Sequence, residues 1–116
     1  MYLEINHQEL QSVEFVLKTQ RQIIKDFATA SIEFPSDFQS VVYPTERILS
    51  ELSTRLRILE STDSRGFSQL LYQIDIPESL LPELSITEDF HAQLAEIVLK
   101  REAYKVYLRQ QFSTPS

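Results

Sequence analysis

The chain holds two histidines in its 116 residues, and each stands three residues after a glutamate: Glu4 with His7, and Glu88 with His91. On a helix, i,i+3 spacing brings carboxylate and imidazole to one face. Two such pairs with two further glutamates are the ligand set of di-iron and di-manganese helical bundles. Against that, Glu4 precedes a helix cap at Asn6, so its pair is not on a helical face. Glu88 opens a helix, where a solvated carboxylate complements the macrodipole. A carboxylate/His metal enzyme on Glu88 and His91 is therefore the lesser reading, and no metal or other cofactor is expected.

A second cluster is Lys100, Arg101, Lys105 and Arg109, interleaved with Tyr104, Tyr107 and Phe112. Basic and aromatic side chains on one element can hold phosphates and stack bases. Cations near a helix C-terminus also complement the dipole with no ligand at all. The formal charge of −6 repels phosphate backbones, and Glu102 interrupts the patch. Anion or nucleic-acid binding through Lys100, Lys105 and Arg109 stands as a second alternative. Arg101 falls within an apolar stripe, where an unpaired charge costs several kcal/mol. Asp75, between Ile74 and Ile76, is the expected partner in a buried ion pair.

Other chemistries lack parts. Without cysteine there is no disulfide, thiolate ligand or cysteine nucleophile, and one glycine cannot build a phosphate-cradling loop. No histidine neighbours a nucleophile motif, so the chain leans away from catalysis.

The elements that would position these residues are helical. Apolar residues make up 42% and charged residues 24%, within the globular range, and the apolar positions recur in threes and fours. The expected fold is all-α: a small up-and-down bundle of about four helices, two long, one medium and one short, with proline-bounded connectors. One domain spans 1–112, followed by a flexible tail, 113–116.

The first helix is expected from about His7 to about Ser31, capped by Asn6 with Glu9 and stapled by Ile5 and Leu10. Its apolar stripe runs Leu10, Val13, Val16, Leu17, Ile23, Ile24 and Phe27, with Glu14, Lys18, Arg21 and Lys25 opposite. Phe34 to Pro44 is a packed connector with one apolar turn after Ser36. The second helix starts near Thr45, carries Ile48, Leu49, Leu52, Leu56 and Leu59, and fades at 61–64. Gly66 marks the break, and a short third helix is expected over Phe67 to Asp75, with an extended segment as the alternative. Pro77 to Leu84 is a linker whose leucines cover the core. Thr87 caps the last helix, which runs to about Phe112.

That last helix carries two apolar stripes. Phe90, Leu94, Ile97, Tyr104, Leu108 and Phe112 form the expected core face. Ala92, Ala95, Leu99, Ala103 and Val106 form a second, nearly opposite, of mostly small side chains that permit close approach. Either the helix is central within its own chain, or the second stripe, with Phe15, meets another copy in an isologous homodimer.

The sequence thus favours a non-catalytic protein–protein interaction or assembly module that self-associates through its last helix. Its expected partner is itself or another protein; nucleic acid is disfavoured by the charge, and no membrane is expected. Met1 to Leu10 lacks a basic region followed by an apolar run, and no stretch approaches the roughly 18 apolar residues of a membrane span. An acidic cytoplasmic protein is expected.

Overall fold

The computed structural model describes residues 12–84 and 89–112. These form four α-helices, α1 (Val13–Ala28), α2 (Thr45–Thr62), α3 (Ser64–Ile74) and α4 (Phe90–Phe112), with 3-10 turns at Ser36–Gln39 and Glu78–Glu83. The fold is a small all-helical bundle, as the spacing of apolar residues implied. Among the described residues no helix is long and apolar enough to cross a membrane.

Helix α1 begins later than expected. Ser12 is its cap, its hydroxyl accepting from Phe15 N at 3.0 Å; the expected Asn6 cap, Glu9 and the Ile5 and Leu10 staple lie outside the described residues. The helix stops at Ala28, and Ser31 takes φ 61°, letting Ile32 N reach back to Phe27 O. Gln20, which interrupts the apolar stripe, is fully buried and fully used. Its amide nitrogen donates to the carbonyls of Phe38 and Val41 at 2.6 and 2.8 Å, and its oxygen accepts from Tyr43 N at 2.9 Å. One side chain thereby satisfies three backbone groups of the connector, which packs Phe38 and Tyr43 into the core.

The break between α2 and α3 falls at Asp63, not at Gly66. Asp63 ends one helix and caps the next, its carboxylate accepting from Gly66 N at 2.9 Å. Gly66 lies inside the first turn of α3, because a Cβ there would collide with that carboxylate. The segment 67–74 is helical, not extended, and Asp75 closes it at φ 73°, with Ile76 N donating to Leu71 O. In the Glu78–Glu83 turn, Leu80 and Leu81, with Leu84 after it, lie half-buried over the core.

Helix α4 lies between α1 and α2 and makes most of the helix contacts of each. Its N-terminal half joins the main core, where Leu94, Ala95 and Val98 meet Leu52, Leu56, Leu71 and Ile74. Its C-terminal half forms a smaller cluster, Ala103 and Val106 with Phe15 of α1.

This overturns the expected orientation of α4. Of the stripe Phe90, Leu94, Ile97, Tyr104, Leu108 and Phe112, only Leu94 is buried, and Phe112 is 79% exposed. The buried face is turned roughly a quarter turn from that line at 100° per residue, toward Val98 and Glu102. Glu102, which interrupts the basic cluster in the sequence, is at 0% exposure.

Candidate functional site

Four of the six residues of the expected self-association surface are buried within the chain. Phe15, Ala95, Ala103 and Val106 are each at most 3% exposed within one chain, while Ala92 and Leu99 are half-buried. Part of the second stripe of α4 is packed within the chain, where Phe15 clusters with Ala103 and Val106.

The other sequence candidates are dispersed. Glu4, His7 and Glu88 lie outside the described residues. His91 Nε2 lies 2.6 Å from Glu60 Oε1, tying α4 to α2. Among the described residues no group of three or more His, Asp or Glu side chains is placed to hold a metal. Arg101 Nη2 lies 3.3 Å from Asp75 Oδ2, but Asp75 is 77% exposed, so this is not the expected buried ion pair. The residue closes α3 at the surface, and Arg101 reaches out to it with its guanidinium 5.3 Å from the Tyr104 ring centre. Lys100, Lys105 and Arg109 do not form one patch. Lys100 is exposed on another side, Lys105 points inward, and Arg109 joins α1.

What the fold assembles instead lies between α1 and α4. Phe15, Thr19, Gln22 and Asp26 recur at i, i+4, i+7 and i+11, one line of α1, and all are buried. Facing Asp26 are Glu102 and Lys105, between three and a little over four turns from the start of α4. Lys105 Nζ donates to Asp26 Oδ2 at 2.7 Å and to Gln73 O at 3.2 Å, and Gln22 Nε2 donates to Asp26 Oδ1 at 3.1 Å. Glu102 receives no hydrogen bond at either oxygen, and Lys105 Nζ at 3.8 Å is too distant to give one.

Protonation meets half of that deficit, giving one oxygen a hydrogen to donate and leaving the other without a donor. Burial, and then the hydrogen bond to Asp26 and the charge of Asp26, push Glu102 up to about 10, against the pull of Lys105. Glu102 is therefore a neutral acid that donates to Asp26. Burial alone would raise Asp26, but the hydrogen bonds from Glu102, Lys105 and Gln22 outweigh it and hold that carboxyl below 3.8. One proton and one ammonium thus stabilise a single buried carboxylate.

Outside this seam the same two helices form a groove of about 390 Å³ with four cations on its walls: Lys18, Arg21 and Lys25 from α1 and Arg109 from α4. Gln22, Gln110 and Val106 complete it. Arg21 Nε donates to Gln39 O at 2.9 Å and Arg109 Nη2 to Gln22 Oε1 at 2.7 Å, so both guanidinium groups are held in place with donors to spare. Among the described residues no carboxylate pairs with Arg21, Lys25 or Arg109. Lys18 has only Glu14, at 3.8 Å and 81% exposed. The nearby buried acids do not cancel this charge: Glu102 is neutral, and Asp26 is matched by Lys105.

The helical wheel puts Lys18, Arg21 and Lys25 opposite the apolar stripe of α1, and the fold sets Arg109 beside them, away from Lys100. The available signal was the Phe15, Gln22 and Asp26 line, which gives α1 a second buried side and brings its basic edge to α4. A larger groove of about 730 Å³ between α2 and α4 has mixed charge, with Glu46, Asp89 and Glu96 beside Arg57. Arg57 and Asp89 pair there at 3.4 Å. No family model, curated protein or solved structure matches the chain.

Proposed function

We propose that this protein is a non-catalytic interaction module whose contact surface is the basic groove between α1 and α4 and whose partner is anionic. The observation that carries the reading is the concentration of Lys18, Arg21, Lys25 and Arg109 around one cleft, three of them without a described carboxylate, in a chain of formal charge −6. A solvated face in an acidic protein has no need to exclude its counter-charges, whereas a binding face does. Catalysis has less support, since the one strongly shifted acid, Glu102, is at 0% exposure and out of reach of a substrate.

Titration of the full chain with polyglutamate and with inorganic polyphosphate, followed by fluorescence anisotropy, tests this. At least one should bind at low salt and weaken steeply as salt rises. Replacing Arg21, Lys25 and Arg109 together by Gln should weaken binding roughly tenfold or more, each exposed pair contributing a few tenths to about 1 kcal/mol. If neither polyanion binds at low salt, or if the triple variant binds as well as the parent, the reading fails.

A further inference from the structure

Taking the groove as the contact surface, we infer that it fits an acidic α-helix of a partner protein, with carboxylates on one face at i, i+3 or i+4, and i+7. Lys18, Arg21 and Lys25 stand at that spacing on α1, a row about 10 Å long at 1.5 Å rise per residue. A helix laid along α1 repeats its side chains at the same rise, so three carboxylates on one line meet the row in register. Arg109 lines the opposite wall, its guanidinium held by Gln22 Oε1 at 2.7 Å.

The lining distinguishes this occupant from a nucleic-acid strand. Among the described residues no aromatic ring lines the groove, so those residues give bases no surface on which to stack. Of the uncharged lining residues Gln110 is exposed and offers an amide, which suits the flank of a helix resting between two others. A strand carries a charge at every nucleotide, and outside the groove it meets exposed Glu14 and the field of a net acidic chain. A helix acidic on one face can turn a neutral side to the rest of the surface.

The test uses two synthetic helical peptides of identical composition, one with its glutamates on a single face at i, i+3 and i+7 and the other with them distributed around the helix. Single-stranded oligothymidylate is the third probe. Each is titrated against the full chain at low salt. The one-face peptide should bind roughly tenfold tighter than its isomer, the difference expected when three weak pairs form together and not singly.

Lys25→Gln should shrink that ratio; Lys25 is exposed and makes no ion pair among the described residues, so this variant keeps the fold. A matched circular-dichroism melt checks that. Equal affinity for the two peptides would overturn the helix assignment and leave a plain anion groove. Tighter binding of oligothymidylate would replace it with a nucleic-acid strand. Failure of all three probes, with polyglutamate and polyphosphate also silent, would remove the groove as a contact surface altogether.

Discussion

The two halves of α4 are buried by different chemistry. In the N-terminal half Leu94, Ala95 and Val98 are at 0% exposure among apolar neighbours, and burial needs no further account than area removed from water. In the C-terminal half the buried apolar side chains are Phe15, Ala103 and Val106, with half-buried Tyr107 packed against them. The rest of that contact is a neutral acid, a carboxylate and a lysine. The first kind of contact tolerates any change that preserves volume. The second depends on where one proton resides, so its stability is tied to pH and its charge bookkeeping sets the field of the groove beside it.

The largest loss of stability belongs to the apolar half. Leu94→Ala should cost about 3 kcal/mol, the sum of lost transfer energy and a residual cavity, at all pH values alike. A urea melt that shifted by less than about 1 kcal/mol would mean that this half is not the main support of the bundle.

Glu102→Gln should do the opposite in the polar half. In the folded chain Glu102 titrates at about 10, against an ordinary 4.5. Its contribution is complete below the unfolded value and is lost as pH rises toward the folded one, by up to about 1.4 kcal/mol per pH unit. The amide retains a donor for Asp26 and has no proton to lose. The variant should match the parent near pH 4 and exceed it by a margin that grows with pH, up to about 5 kcal/mol at pH 8. Melts that run parallel across that range would show Glu102 ionised in the folded protein.

These halves also differ in how far they could be read from sequence. Leu52, Leu56, Leu59, Phe67, Leu70 and Ile74 recur at helical spacing and all lie in the core, since an apolar side chain has one favourable place to be. Residue type gave no such guide at Glu102 and Asp26. A carboxyl read at its ordinary pKa belongs in water, and only the assembled pair, with Lys105 over it, makes burial affordable. For the same reason the face of α4 was set by Phe90, Leu108 and Phe112, large side chains that in fact lie half-buried or exposed. The basic groove was hidden one step further, because it exists only once Asp26 has brought α1 against α4.

Lys105→Met probes the other partner of the seam. The ammonium, 24% exposed, faces an Asp26 side chain that is 3% exposed. Its loss leaves that carboxylate with Gln22 and Glu102 alone. The expected cost is about 1–2 kcal/mol, less than for a fully buried pair because Lys105 reaches solvent. Asp26 has a lowered pKa, so its contribution is present above 3.8 and disappears as pH falls through the folded value. Without Lys105 that value rises, and acid unfolding should begin at higher pH. An unchanged acid limb would mean that Gln22 and Glu102 suffice to hold Asp26 ionised.

The smallest effect lies at the junction of the halves, where Arg101 meets Asp75. Ser31 and Asp75 both close helices with positive φ, 61° and 73°, where glycine avoids a steric cost of about 1 kcal/mol. Ser31→Gly, with no charge partner, should stabilise by about 0.5–1 kcal/mol. Asp75→Gly gains the same backbone relief but loses the contact with Arg101, so the two terms oppose each other. A double-mutant cycle with Arg101→Met isolates the second term. At 77% exposure of Asp75 the coupling should be at most about 0.5 kcal/mol, as for other solvated pairs. A coupling above about 2 kcal/mol would show that Arg101 and Asp75 act as a buried pair after all, and the polar seam would then extend the whole width of α4 instead of ending at Glu102.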